Sequence, residues 1–252
     1  MKNFKSILTL GMLFVSTAGF AQFANNGSNH SSGNGSPLLI KDTNSYSRIY
    51  FGYNPMTISY DVKGVEDNTL NGLTFGYTQG ISLSKKLPLF LEVGARFNFG
   101  FKSETLSDED EDYYSTRASY DYDNDNDEEE SEDEKLKTTT ASIVIPINIA
   151  YKLTFAGGDV SVSPFFGITF KGNVLGKEKY EYEGEKETAD FFDKDDMGGK
   201  DYVWKRFQAG LQIGTNVDYK ALSVGLHYGA DFNEIAKKTK TKNWGITVGY
   251  NF

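Results

Sequence analysis

The last ten residues, Asn243–Phe252, read NWGITVGYNF. Trp244, Ile246, Val248, Tyr250 and Phe252 are large and apolar, while Gly245, Thr247, Gly249 and Asn251 between them are small or polar. A period of two places the first set on one face of a β-strand and the second on the other. The strand runs to the terminal aromatic with no polar tail. In water such an end would fray and expose its rings, so this alternation calls for an apolar surface on one side and a neighbouring strand at its edge.

The same period recurs upstream in seven further runs. The first contains Ile49, Phe51 and Tyr53, with Pro55 marking a bulge or an end of pairing. The second has Leu73, Phe75, Tyr77, Ile81 and Leu83, and the third runs from Leu89 to Phe101 on odd positions. The fourth has Ile143, Ile145, Ile147, Ile149 and Tyr151, and the fifth has Val160, Val162, Phe166, Ile168 and Phe170. The sixth runs from Phe207 to Tyr219, and the seventh from Leu222 to Phe232. These runs are about 9–13 residues long, whereas a membrane-crossing strand takes about 9–11 and an ordinary globular strand about 5–6. No stretch reaches the length of a membrane-spanning helix. The connections alternate between short (84–88, 154–159, 218–221) and long (near 61–71, 103–137, 172–203 and 233–242). Strands running up and down would gather all short turns at one end and all long loops at the other.

A soluble eight-stranded barrel also alternates, but with its apolar residues inside. Here the polar face is rich in glycine and hydrogen-bonding groups, as a narrow lumen needs, and the other face is a nearly unbroken apolar band suited to lipid. The reading is an all-β protein: a closed antiparallel transmembrane β-barrel of about eight strands with up-and-down topology. Closure is required because unpaired backbone groups are too costly in hydrocarbon.

Composition agrees. Aromatics are 15 % of the chain, with 26 glycines and only 5 prolines, which suits strands. Cysteine is absent, which excludes disulfides and thiolate chemistry. Residues 1–21 have Lys2 and Lys5, a short apolar core and Gly19 and Ala21 before Gln22, the layout of an export signal peptide. Residues 22–46 are rich in Asn, Gly and Ser and read as a flexible periplasmic linker. The barrel is expected over 47–252.

Segments such as ASIVIPINIAYKL (141–153), PFFGITFKGNVLGK (164–177) and KNWGITVGYNF (242–252) resemble the PorT-like or porin-family "outer membrane protein beta-barrel" domain. The resemblance implies an outer-membrane location. It also implies recognition of the terminal strand, ending in Phe252, by the barrel-insertion machinery.

The net charge of −9 is concentrated. Residues 103–137 carry 16 Asp/Glu against three Lys/Arg, a local −13 that leaves the rest at +4. An acidic chain of this kind is a poor match for nucleic acid. The segment reads as an acidic extracellular loop. Within it Asp121, Asp123, Asp125, Asp127 and Glu132 follow the 1, 3, 5, 7, 12 spacing of a calcium loop. Asn126 stands where that loop needs glycine and Glu128 where it needs an apolar residue, so the leading reading is a solvated loop with no cofactor, and weak Ca2+ or other divalent-cation binding is the alternative.

On the polar face, Glu92, Arg96, Lys171, Arg206, His227 and Asp231 are expected to form a lumenal network, paired as Arg96/Glu92 and Arg206/Asp231. No GxSxG is present, and His227 is the sole barrel histidine. Lys237, Lys238, Lys240 and Lys242 form a basic loop expected to meet anionic lipopolysaccharide or the acidic segment. The function expected is a non-enzymatic structural or surface-interaction role. The alternatives are a narrow channel for small solutes and an accessory component of a secretion apparatus.

Overall fold

Alternating side chains can satisfy two solvents at once only if the strands between them close on each other. In the computed structural model they do. It describes residues 45–84, 86–106, 134–182 and 185–252. The elements are β1 (Ser45–Tyr53), β2 (Met56–Tyr60), β3 (Asn68–Ser82), β4 (Leu89–Leu106), β5 (Glu134–Tyr151), β6 (Leu153–Phe155), β7 (Val160–Tyr182), β8 (Glu185–Asp190), β9 (Phe207–Tyr219), β10 (Leu222–Asp231) and β11 (Thr239–Asn251). β1 and β2 are one strand interrupted at Asn54–Pro55, because proline cannot donate to the ladder. Both halves pair with β3 on one side and β11 on the other. The remaining order, β11-β10-β9-β7-β5-β4-β3, completes a ring of eight antiparallel strands. No described helix is long and apolar enough to cross a membrane; the crossing elements are strands.

The terminal strand closes this ring as its sequence requires. Ile49 pairs with Tyr250 and Phe51 with Val248. Beyond β11, the Phe252 amide donates to the Ser47 carbonyl at 2.9 Å and its carbonyl accepts from Ser47 at 3.1 Å.

The apolar set faces outward on every barrel strand. Phe166 and Ile213 are each 62 % exposed and Val248 61 %, values that are favourable only against hydrocarbon. Aromatics sit near both ends of the band. Tyr53 meets Trp244 edge-on at 5.7 Å beside Tyr228, while Tyr219 and Tyr250 flank Leu222 at the other end. The lumen is lined by the small and polar set. Its glycines make room for rings: a Cβ at Gly80 would lie 2.4 Å from the Tyr46 ring, and one at Gly245 2.4 Å from His227 Cε1.

The long connections differ from expectation. β4 continues to Leu106 and β5 begins at Glu134, so both flanks of 103–137 are paired strand. β7 runs 23 residues, and β8 folds back onto its outer end. About 10 residues cross a bilayer, so β4, β5, β7 and β8 continue as an open sheet beyond it. A bulge between Ala141 and Ser142 in the β5–β7 register marks the transition.

Candidate functional site

The lumen carries three polar groups stacked along the barrel axis. At the end with the short turns, Arg48 is 4 % exposed and Glu92 2 %. Arg48 Nη2 donates to Asp218 Oδ1 at 3.2 Å, its Nε donates to Asn251 at 2.8 Å, and its Nη1 lies 4.0 Å from Glu92. Lys152 reaches Asp218 at 3.5 Å and covers the Tyr46 ring at 4.6 Å. Tyr46 donates to Glu92, which also accepts from Asn148 at 3.3 Å. Each buried charge therefore has an opposite charge and further hydrogen bonds, the condition for holding ions out of water.

At mid-height Arg96 Nη1 lies 3.0 Å from His227 Nε2. A guanidinium cannot accept, so the imidazole nitrogen does. Asn54, whose amide donates to the Gly72 carbonyl at 2.8 Å, has its side-chain oxygen 3.2 Å from the same nitrogen and accepts from Asn243 at 2.8 Å. Further out, Lys171 pairs with Asp231, and both contact Thr241. Gln208 and Asn173 extend this group by bonds of 3.1 and 3.0 Å.

Above the third group the mouth is covered by side chains from two outer connections. Phe191 and Trp204 pack with their ring centres 4.4 Å apart and their planes tilted by 39°. They cluster with Ile58, Leu70, Ile235 and Ala236. The covering segments are hydrogen-bonded to the wall and to each other: Phe191 to Gly176 at 2.9 Å, Lys205 to Ile235 at 2.6 Å and Asn173 to Arg206 at 2.7 Å. Described residues line two lumenal cavities of about 40 Å³ each. Trp204 lines the outer one, with Arg96, Lys171 and Asp231.

Of the six expected lumenal residues, the structure places Glu92, Arg96, Lys171, His227 and Asp231 inside. Arg206 is a correction: it is exposed, with its guanidinium 4.1 Å above the Phe192 ring outside the mouth. It lies in the connection immediately before Phe207, where β9 has not yet begun. The pairing changes with it. Arg96 meets His227 instead of Glu92, and Asp231 meets Lys171 instead of Arg206. Glu92 belongs instead with Arg48, which along with Asp218, Lys152 and Tyr46 escaped sequence reasoning. Arg48 on the polar face of the first run was the available signal. Asp121, Asp123, Asp125, Asp127 and Glu132 lie outside the described residues. Among the basic-loop lysines, Lys237 pairs with Asp201 at 2.6 Å and Lys242 with Asp67 at 2.8 Å. Each pair keeps its charges in place: Asp201 raises Lys237 above the ordinary lysine range, and the Lys242 hydrogen bond holds Asp67 below the usual carboxylate range.

A family model described as "Outer membrane protein beta-barrel domain" matches residues 113–237. The closed eight-strand ring with its outward apolar band and this match define the chain as an outer-membrane β-barrel protein, resident in the outer membrane. Among solved structures, Ail of Yersinia pestis, in complex with the heparin analogue sucrose octasulfate, overlays with a TM-score of 0.42 at 13% identity, covering 83% of this chain and 100% of that one. Neisserial surface protein A overlays at 0.36 and 13% identity, over 83% and 96%. The outer membrane enzyme PagL overlays at 0.41 and 8% identity, over 79% and 97%. No curated protein matches the sequence.

Proposed function

We propose that the protein is a non-enzymatic surface-interaction barrel whose wall is a closed scaffold for its outer sheet and loops. The observation that carries this is the double closure of the lumen. Charged and polar side chains occupy the lumen from the Arg48–Asp218 group to the Lys171–Asp231 pair, and an apolar cluster around Phe191, Trp204 and Ile235 covers its mouth. Eight strands leave an interior that side chains can fill, whereas open aqueous channels come from larger rings. The absence of catalysis is supported by the surroundings of His227. Its described partners are Arg96, Asn54 and Asn243, with neither a serine nor a carboxylate among them, so no nucleophile–base–acid relay is assembled there.

The test is a planar-bilayer recording of the refolded full-length protein, on a sample whose unboiled form migrates as a folded barrel in gels. The expected record is silent. Steady unitary steps would replace this reading with a narrow solute channel, and stoichiometric co-purification with export components would replace it with the secretion-accessory role.

A further inference from the structure

The sheet that continues β4, β5, β7 and β8 beyond the bilayer has two faces of opposite chemistry. Register fixes which residues share a face. Ser103 pairs with Lys137 and Lys137 with Lys179; Thr105 pairs with Lys135 and Lys135 with Glu181; Lys186 lies across from Glu181, and Lys177 across from Asp190. Directly opposed residues point to the same side. Among the described residues, one face therefore carries Lys135, Lys137, Lys177, Lys179 and Lys186 against Glu181 and Asp190. The other face carries Leu136, Glu178, Tyr180 and Glu187, which with Asp196 line a recess of about 400 Å³.

The lysine face is the upward continuation of the lipid-facing side. Phe101, 42 % exposed on the apolar band, is opposed to Thr139, and Thr139 is opposed to Lys177. Lys137 and Lys135 follow Thr139 on the same side of β5, about 7 and 13 Å further along the strand at ~3.3 Å per residue. That is where hydrocarbon gives way to headgroups, a layer roughly 5–8 Å deep on each side of the bilayer. Glu181 gathers three of the lysines, at 3.1 Å from Lys186, 3.6 Å from Lys137 and 3.8 Å from Lys179. The gathered ammonium groups stay half-exposed. Lys135 and Lys177 are exposed.

We propose that this face binds the phosphate-bearing headgroups of outer-leaflet glycolipid. Two features select that occupant over a soluble polyanion: the charge is complementary, and the lysines rise without a gap from the surface already covered by lipid tails, so one molecule engages both. The inference deepens the surface-interaction reading by naming a partner. It fails separately from it, because conductance tests the closed lumen and glycolipid binding tests this face.

The experiment titrates full-length barrel in neutral detergent micelles doped with a diphosphorylated lipid A-type glycolipid, its dephosphorylated form, or soluble dextran sulfate as the lipid-free polyanion. The K135Q/K137Q/K177Q/K179Q/K186Q variant is expected to bind the phosphorylated glycolipid at least 10-fold more weakly than the native chain. A charge-matched variant on other exposed lysines, K63Q/K86Q/K194Q/K200Q/K220Q, is expected to bind within about 2-fold of it. Glu181→Gln, which frees three lysines from their shared carboxylate, is expected to tighten binding. It keeps the proposal testable if the fivefold variant does not refold. Equal loss in both lysine sets, no preference for the phosphorylated form, tighter binding of dextran sulfate than of glycolipid, or no gain from Glu181→Gln overturns the proposal.

Discussion

The two ends of the lumen are closed by different physics. The inner end is held by ions: Arg48, Lys152, Glu92 and Asp218, brought together from four strands or turns and interlocked with Tyr46, Asn148, Ser161 and Asn251. The outer end is held by apolar contact among Ile58, Leu70, Phe191, Trp204 and Ile235. An ion network inside a rigid wall is all-or-none, since removing one charge strands its partners in low dielectric. An apolar cover in which loop residues Phe191, Trp204 and Ile235 pack onto Ile58 and Leu70 of the wall is divisible. It can open locally at a cost set by its own contacts while the wall stays intact. The inner closure is thus part of the barrel's stability and the outer one is a property of the loops.

The strongest test of this contrast is Arg48→Ala, which leaves Glu92 and Asp218 without their shared cation. The expected loss is about 3–5 kcal/mol of unfolding free energy, read from urea unfolding in lipid vesicles. The fourfold change Arg48→Met, Lys152→Met, Glu92→Gln and Asp218→Asn is expected to recover most of it, because no charge of the network is then left without a partner. If Arg48→Ala alone is neutral, the inner end is not an interlocked network.

Trp204→Ala is expected to act on the other end only. The local opening free energy of 191–206 should fall by about 3 kcal/mol, seen as faster amide exchange there, with the global unfolding midpoint nearly unchanged. A matching drop in both would show that the cover and the wall are one cooperative unit.

Phe252 tests the seam between β1 and β11. Phe252→Ala keeps both backbone bonds to Ser47 and is expected to change stability in vesicles by less than about 1 kcal/mol. If the terminal ring is the signal read by the insertion machinery, the same substitution lowers the amount of folded barrel recovered from membranes. Equal recovery with and without the ring removes that role.

The smallest effect concerns pH. The hydrogen bond from Lys186 is the main reason the Glu181 carboxyl lies below the usual range. A carboxyl depressed in the folded state contributes stability above its unfolded pKa and loses it as pH falls through the folded one. Protection of amides in the β7–β8 hairpin should therefore decline below about pH 4, while barrel amides hold. Unchanged hairpin protection at pH 3 would show that Glu181 does not order this face.

The outward band, the eight crossings and the terminal strand were legible because they are local: a period of two is written in each strand and needs no knowledge of its neighbours. The same periodicity placed Glu92, Arg96, Lys171, His227 and Asp231 on the polar face. It could not say which of them meet. Arg48 and Asp218 are 170 residues apart, and their contact depends on the stagger of strands around a closed ring, which no single strand encodes. Arg206 was misassigned for the complementary reason. It precedes β9, where alternation has not begun, so parity carries no information about direction. The sheet beyond the bilayer escaped because its strands lack an apolar face; Lys137, Lys179 and Lys186 look like ordinary loop charges until pairing aligns them. By itself, then, the sequence determined which solvent each strand face meets, since burial preference acts residue by residue. Only the tertiary structure decided which charges close the lumen, what covers its mouth and where the lysines converge, since those depend on register between strands far apart in the chain.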